Sequence, residues 1–413
     1  MSIDRTNHKI KLPELLSPAG NFEKMRAALL YGADAVYLAG LRFGMRSAAD
    51  NFSDEELADA VAYAHTRGKK IYLTLNTMPH NYEYPALRDF LLRIAPLGID
   101  AVIVADLGVL ATVRELLPEM EIHISTQASI VSPQAARAYA ALGAKRLVLA
   151  RELMLDEIRA IRDGLAPEIE LEAFIHGSMC VAYSGRCMLS YNLTGRDANR
   201  GACAQPCRWT YSVTEEKRPE IPFPIEQNEL GTFTMSSKDM CTIEILPKLI
   251  EAGIDSFKIE GRMKSAYYTA VVTNTYKMAL DSYFSGNYSY NPDWYRELES
   301  VSHRDYATGY YYSDSHMDSN TAATTGYIKD KAYLAVVVSY DEEKSVATLS
   351  QRNKMKVGDE IELLSPGKCG VPLTVGEMKN EKGEIIEGTS HPYMIFTMKI
   401  DIPVKAGDII RAR

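Results

Sequence analysis

Four of the six cysteines in this chain lie in one short segment, which also holds a histidine and four arginines. They are Cys180, Cys187, Cys203 and Cys207, at the spacing C-x6-C-x15-C-x3-C. In a reducing compartment, clustered cysteines bind metals or carry redox chemistry more often than they form disulfides. This segment is therefore the first candidate for chemistry.

The spacing leaves several kinds of site open. Four thiolates could close a tetrahedral zinc site, although only Cys203 and Cys207 have the short spacing of a zinc knuckle. An iron–sulfur cluster accepts ligands from a long wrapping loop, so the spacing slightly favours iron–sulfur over zinc. Glycines and arginines surround the thiols, which makes a set of buried free cysteines the weaker alternative.

Other catalytic signatures are absent from the sequence. It contains no HExxH zinc-protease motif, no GxSxG nucleophile elbow and no Walker A loop. His176 and Cys180 could form a Cys–His pair, but they are four residues apart in a predicted turn and no orienting Asn or Asp is evident. A metal or redox role for the cysteines remains the stronger hypothesis.

Buried-strand patterns alternate with amphipathic helical patterns before the cysteine segment and again after it. Helix–glycine–strand phrases such as YGADAVYL and LGIDAVIV recur at the spacing of βα units. Eight units predict a (β/α)8 TIM-like barrel, and an open doubly wound sheet is the alternative, although no GxGxxG follows the first strand. The predicted strands are 13–19, 35–40, 70–76, 101–106, 121–127, 146–151, 169–176 and 256–262.

A barrel would bring polar residues from different strands to one mouth, at the carboxyl ends of the strands. The cysteine segment follows the seventh strand and would emerge at the same mouth. The catalytic candidates are His176, Asn76, Gln127 and Glu260. The candidates for binding an anionic substrate are Arg46, Arg151 and Arg262 at the strand ends, with Arg200 and Arg208 from the cysteine segment.

The pattern predicts three parts of the chain. A barrel occupies 1–290 and contains a Cys-rich insertion at 177–240, which ends in a predicted hairpin between 209–215 and 231–235. A connector follows at 291–332. From 333 to 413 the apolar period changes to two, which indicates a small C-terminal β-barrel domain.

Bulk properties restrict the setting. The net charge of −8 argues against a uniformly basic nucleic-acid binder, but it leaves room for one basic cleft. No apolar run approaches the roughly 20 residues that span a bilayer. The N-terminus lacks a charged-then-apolar signal pattern, so we expect a cytoplasmic protein without a membrane partner.

Both cysteine blocks resemble those of peptidase family U32. The blocks read EAFIHGSMCVAYSGRCMLS, from Glu172 to Ser190, and NRGACAQPCR, at 199–208. The start ELLSPAGNFEKMRAALLYGADAVYLAG and the phrase FKIEGRMKS are also similar to that family, so the resemblance covers essentially the whole chain. The family name records an early collagenase-like protease assignment. Better-understood members carry a [4Fe-4S] cluster and hydroxylate tRNA wobble uridine, ribosomal RNA or the ubiquinone ring without oxygen.

The length and the NRGACAQPC block most resemble the branch of the family that makes 5-hydroxyuridine in tRNA with prephenate as the hydroxyl source. The resemblance implies that the four clustered cysteines ligate a [4Fe-4S] cluster, with zinc as the alternative. It also implies tRNA and prephenate as partners, and a related partner subunit remains open. Prephenate is a dicarboxylate, which arginines at the mouth could bind bidentately.

Three alternatives remain at this point. The first is a metal-dependent collagenase-like peptidase whose activity depends on His176. The second is hydroxylation of ribosomal RNA or a quinone ring by the same scaffold. The third is a non-catalytic member whose cluster is structural and which acts with another protein.

Overall fold

The computed structural model describes residues 11–45, 50–180, 182, 187–209, 212–215, 218–224, 237–286, 288–312, 328 and 331–413. These residues form two compact units. The first unit contains the described residues of 11–25, 33–264 and 303–312, and the second contains those of 26–32, 265–302, 328 and 331–413.

The helices occur between strands in the first part of the chain and as a pair in the middle. Their bounds are α1 Phe22–Leu30, α2 Asp54–His65, α3 Tyr84–Ile94, α4 Leu107–Leu116, α5 Pro133–Ala141, α6 Leu155–Asp163, α7 Leu189–Thr194, α8 Leu246–Glu251, α9 Ala266–Phe284 and α10 Pro292–Glu299. The capping box expected at Ser53 is present: the Ser53 hydroxyl accepts from the Glu56 amide, and the Glu56 carboxylate accepts from the Ser53 amide. None of the helices in the described residues is long and apolar enough to cross a bilayer.

The first unit is built on a closed parallel barrel. Its strands are β1 Glu14–Pro18, β2 Ala35–Leu38, β3 Lys70–Leu75, β4 Ala101–Val104, β5 Glu121–Ile124, β6 Arg146–Val148, β7 Glu170–Ser178, β8 Ser212–Glu215, β9 Arg218–Pro224, β10 Asp239–Cys241, β11 Ser256–Ile259 and β12 Tyr306–Ala307. Strands β1 to β7 pair in order and in parallel, and β11 pairs with both β7 and β1. The predicted (β/α)8 barrel is therefore confirmed.

The barrel interior contains a network of buried charges. Arg146 on β6 forms ion pairs with Glu14 on β1 at 2.6 Å and with Glu172 on β7 at 3.1 Å. Glu172 also pairs with Lys258 on β11 at 2.7 Å and is fully buried. Burial alone would raise the pKa of Glu172, but Lys258 and Arg146 outweigh it and lower that pKa to about 2. Because every buried charge here has a partner, the barrel tolerates a polar centre.

The insertion after β7 rejoins the barrel through the short strand β10. Strand β10 pairs antiparallel with the end of β7, and β12 pairs with β10. Asp239 on β10 is buried and accepts from the guanidinium of Arg304 at 2.6 Å and 2.9 Å. This buried pair fixes the chain where it returns to the barrel wall.

The first strand of the hairpin in the insertion pairs with a different segment from the one expected. Strand β8 lies in the predicted first arm, but it pairs with β9 at Arg218–Pro224. The expected second arm, 231–235, lies outside the described residues. A partner only a few residues further along the chain requires a shorter loop, and a shorter loop costs less entropy to close.

Gly177 on β7 lies against the backbone that follows β11. Its φ is +108°, and a Cβ built there would lie 2.3 Å from the Glu260 carbonyl oxygen. We expect Gly177→Ala to lower the free energy of unfolding by about 3 kcal/mol, since strain and a backbone clash combine. Gly68→Ala is the matched control, because Gly68 also has positive φ but has open space around it. That control should lose about 1 kcal/mol in the same denaturant titration, and equal losses would contradict the clash.

The second unit contains an antiparallel sheet that curls into a partial barrel. Its strands are β13 Tyr333–Asp341, β14 Val346–Gln351, β15 Glu360–Leu364, β16 Val371–Thr374, β17 Met378–Asn380, β18 Ile385–Ile386, β19 Ile395–Lys399 and β20 Ile409–Ala412. Their order is β16-β15-β20-β13-β14-β19-β17-β18, and a bridge between Lys356 and Gly388 links the segment before β15 to the segment after β18. The expected C-terminal β domain is thus present, with a core that includes Leu349, Ile361 and Phe396.

Candidate functional site

A cavity of about 230 Å³ lies at the carboxyl end of the barrel strands. Its wall combines strand residues with residues of the cysteine segment. All four clustered cysteines line it, as do six of the polar candidates from the sequence, namely Asn76, Gln127, Arg151, Arg208, Glu260 and Arg262. The barrel thus brings together side chains that are more than 180 positions apart in the chain.

Short local motifs shape the cysteine segment. Helix α7 ends at Gly195 in the left-handed conformation, and a second left-handed glycine, Gly201, closes the next turn. The Asn199 side chain donates to the Cys187 carbonyl at 2.9 Å, so it holds the first cysteine block against the second. The Ser190 hydroxyl adds to this clamp by donating to the Arg196 carbonyl and accepting from the Ala204 amide. Glycine and Asn supply the turns here without a large apolar core.

The four thiols surround one space. Cys180 is exposed, and Cys187, Cys203 and Cys207 are partly buried. Burial raises the pKa of Cys207, and the neighbouring thiol of Cys180 raises it further, with smaller contributions from the other two. Across the described residues, no three His, Cys, Asp or Glu side chains are close enough together to hold a single metal ion. The thiols are therefore close enough to influence one another but are spread around the cavity.

Two of the predicted catalytic residues form a hydrogen-bonded pair in the cavity wall. Asn76 follows β3 and Gln127 follows β5, and the Asn76 amide donates to the Gln127 side-chain oxygen at 2.7 Å. The backbone amide of Met45 donates to the Asn76 oxygen at 3.0 Å. Hydrogen bonds between the segments that follow β3 and β5 thus hold both side chains in place.

The strand-end arginines have different environments. Arg262 is almost fully buried; it donates to the Thr74 hydroxyl at 2.9 Å and to the Met45 carbonyl. Arg151 is half-buried and donates to the Ser178 carbonyl at 2.9 Å, with its guanidinium 5.3 Å from the centre of the Phe174 ring. Arg46, the third predicted arginine, lies outside the described residues.

The two candidate arginines of the cysteine segment, Arg200 and Arg208, line different pockets. Arg208 lines the cavity, where its side chain donates to Gln205 at 3.0 Å. Arg200 instead pairs with Glu83 at 2.9 Å and donates to the Met78 carbonyl at 2.9 Å. It lines a neighbouring pocket, so its observed contacts tie the cysteine segment to the loop before α3.

Of the candidates His176 and Glu260, only Glu260 lines the cavity. Glu260 lines the cavity and accepts from the Tyr37 hydroxyl at 3.4 Å. His176 is buried and is not among the residues that line the cavity; its Nε2 lies 3.4 Å from the Tyr306 hydroxyl. The pKa of His176 is lowered to about 3, chiefly by burial; the carboxylate of Asp239 opposes this shift, and His303 and Lys264 add to it. At neutral pH this imidazole is uncharged.

The depressed pKa of His176 predicts a pH dependence of stability. In the unfolded chain the ring protonates near its ordinary value of 6.5, whereas in the folded chain it protonates only near 3. This histidine therefore leaves the free energy of unfolding unchanged above pH 6.5. As the pH falls from 6.5 towards 3, the unfolded chain takes up the proton and the free energy of unfolding decreases by about 1.4 kcal/mol per pH unit. We expect His176→Gln to remove this part of the slope in denaturation measured between pH 6.5 and pH 5. His391→Gln, at an exposed histidine, is the control and should leave the slope unchanged.

The comparisons with known proteins agree with the sequence resemblance. The profile of peptidase family U32 matches residues 20–321, and the profile of its C-terminal domain matches residues 329–411. The chain belongs to peptidase family U32. The two family regions together span almost all of the chain.

Curated members of the family are similar over nearly their full length. The chain is 40% identical over 407 residues to tRNA hydroxylation protein P1 of Bacillus subtilis, covering 97% of this chain and 95% of that one. It is 34% identical over 411 residues to tRNA hydroxylation protein P of Escherichia coli, covering 90% of each. It is also 32% identical over 406 residues to a protein named collagenase from Porphyromonas gingivalis, covering 95% and 94%.

The U32 site contains residues that the sequence reasoning missed. Lys258 and Tyr37 line the cavity, and the Lys258 ammonium lies 4.4 Å from the centre of the Tyr37 ring. Asn199, the clamp on Cys187, is also part of the lining. Lys258 and Tyr37 lie inside strands. The alternation of inward-facing and outward-facing residues along a strand could have identified Lys258 as a charge that faces the barrel interior. Nothing in the sequence pattern singles out Asn199, because it acts through the folded loop.

Proposed function

We propose that this U32 protein hydroxylates a uridine of tRNA, forming 5-hydroxyuridine at the wobble position without molecular oxygen. Prephenate is the hydroxyl source in this proposal, and Cys180, Cys187, Cys203 and Cys207 hold a [4Fe-4S] cluster. The observation that carries the proposal is that four thiols converge on a cavity that also contains basic side chains. The full-length similarity to proteins named for tRNA hydroxylation supports the choice of substrate.

The arrangement of the thiols fits a cluster. A single zinc ion draws its ligands to about 2.3 Å from one centre. An iron–sulfur cluster is held by several thiolates around a larger core, and four thiols line this cavity. Arg196 and Arg208 line the same cavity and would offset the negative charge of the thiolates. A bound cluster would supply one-electron transfer at the barrel mouth.

The chain's own residues would bind and orient the two substrates. Arg151, Arg262 and Lys258 place positive charge on the barrel side of the cavity, where a dicarboxylate could bind. Gln127 offers an amide group to a pyrimidine ring, and Asn76 holds Gln127 in place. Replacing a ring C–H by C–OH is a two-electron oxidation, so an electron acceptor is needed besides the hydroxyl source. A related partner subunit or a separate redox protein would take that role.

The test combines metal analysis with product analysis. Anaerobically purified protein should contain about four irons and four sulfides per chain. With prephenate and an electron acceptor such as methyl viologen, it should convert the wobble uridine of a tRNA transcript to 5-hydroxyuridine, detected by nucleoside mass spectrometry. Cluster-loaded protein that leaves the transcript unchanged under these conditions would overturn the proposal.

A peptidase is the second candidate, because one full-length relative is named collagenase. The site gives it less support. His176, the side chain on which that hypothesis depends, is neutral and does not line the cavity. Metal-replete protein incubated with gelatin and a peptide library decides between the two. Cleavage that is lost in a His176→Ala variant would favour the peptidase.

A further inference from the structure

A short chain of hydrogen bonds ends at an unsatisfied donor in the cavity wall. It runs from the Met45 backbone amide to Asn76 and from Asn76 to Gln127. Gln127 is only 9% exposed, and its Nε2 atom is buried without a hydrogen-bond partner. A buried amide donor without a partner costs about 1–3 kcal/mol, so such groups are rare unless a ligand satisfies them.

The Met45 backbone amide determines the donor-to-acceptor direction of this chain of hydrogen bonds. Side-chain amides of Asn and Gln can be turned over without changing their shape, so their direction must come from the network. A backbone N–H can only donate, and therefore the atom of Asn76 facing Met45 is the oxygen. Asn76 then donates from its NH2 group to Gln127, which must accept with its side-chain oxygen. Gln127 is left with its NH2 group for the cavity.

The neighbouring Ser125 agrees with this direction. Its hydroxyl lies 3.4 Å from the same Gln127 oxygen and can donate to it, while it accepts from the Gln127 backbone amide at 3.3 Å. The oxygen of Gln127 therefore has two donors around it, whereas its nitrogen has no acceptor among the described residues. The cavity holds a second unsatisfied donor, the buried Nε of Arg151. Both groups require an acceptor from whatever binds there.

We propose that Gln127 is a specificity-determining residue that accepts uracil and rejects cytosine by donating a hydrogen bond to a ring carbonyl. This inference rests on the proposed function. Uracil carries a carbonyl oxygen at the position where cytosine carries an amino group. Two donors facing each other cannot form a hydrogen bond, so a cytosine amino group would leave both groups unsatisfied. Asn76 is the positioning residue that sets the direction of Gln127.

Two substitutions reverse the polarity in different ways. Gln127→Glu replaces the donor by a carboxylate oxygen. Asn76→Asp leaves Gln127 in place, but the new carboxylate must accept from both Met45 and Gln127. Gln127 then turns over and presents its oxygen to the cavity. Gln134→Glu is the matched control, since Gln134 is exposed on α5 and lies outside this chain of hydrogen bonds.

The experiment measures kcat/KM on two anticodon stem-loop RNAs that differ only in having U or C at the target position. We expect the preference of the wild type for U over C to fall by about 10- to 100-fold in both Gln127→Glu and Asn76→Asp. Gln134→Glu should keep the wild-type preference. Because the readout is a ratio, a general loss of activity does not change it.

The other outcomes separate the remaining possibilities. Slower variants with an unchanged U-to-C ratio would overturn the inference. A raised KM for the carboxylate co-substrate, again with an unchanged ratio, would assign the donor to a carboxylate oxygen and also overturn it. Wild-type protein that hydroxylates neither RNA would instead overturn the proposed function.

Discussion

We expect the replacement of Cys203 by alanine to abolish iron and sulfide binding and, with it, tRNA hydroxylation. The reason is that each of the four clustered cysteines is proposed to supply one ligand, and a cluster with three thiolates exposes an iron to solvent. Cys203 is suited to the test because its sulfur accepts a hydrogen bond from the Gln205 amide at 3.3 Å and its side chain lines the cavity. Iron, sulfide and the visible spectrum are measured on anaerobically purified protein.

The control for this substitution is Cys369→Ala. Cys369 belongs to the second unit, and it is not among the cysteines that line the cavity. Its removal should leave iron content, colour and hydroxylation at wild-type values. If Cys203→Ala keeps a full complement of iron and sulfide, the ligand assignment is wrong. If both the wild type and the Cys203→Ala variant bind zinc without sulfide, the cysteines form a structural zinc site and not a cluster.

Arg146→Ala is expected to have the largest effect on stability. The guanidinium is buried and pairs with Glu14, Glu170 and Glu172 inside the barrel. Removing it leaves carboxylates in a low-dielectric interior with Lys258 as the nearest described counter-charge. Breaking a buried pair in this way costs about 3–5 kcal/mol, so we expect a large fall in the midpoint of denaturant unfolding.

Arg159→Ala is the matched control for Arg146→Ala. Arg159 pairs with Asp156 on the surface of α6 at 2.7 Å, and both side chains are well exposed to solvent. Such a pair contributes about 0.5 kcal/mol, so the midpoint should hardly move. An intermediate variant, Arg146→Lys, keeps the charge but cannot reach several carboxylates at once, and should fall between the two. Equal midpoints for all three variants would show that the network does not stabilise the barrel.

Local patterns were sufficient to predict the order of the elements. The helix start at Ser53 depends on side chains three residues apart, so the capping box could be identified directly. The helix-ending glycines, among them Gly98 and Gly143, have positive φ for the same local reason. Parallel strands at regular spacing then leave few ways to close a sheet, which is why the barrel itself was predictable.

Packing of the insertion could not be read from the sequence. The pairing of β8 with β9 depends on loop length and register, and the same residues could have paired further along. His176 illustrates the same limit. It follows strand residues that face the cavity, yet it packs against Tyr306 from a distant segment, with the ring centres 5.3 Å apart. A shift in register between β11 and β7 at Ile259 accompanies this change.

By itself, the sequence determined the barrel, the place of the insertion and the four cysteines as a group, because these depend on short-range periodicity and spacing. The tertiary structure decided which side chains share the cavity, including Lys258 and Tyr37, and which do not, including His176 and Arg200. It also decided the direction of the Asn76–Gln127 pair, since that direction begins at a backbone amide 31 residues away from Asn76. Contacts of this kind depend on long-range closure of the chain, and no local pattern encodes them.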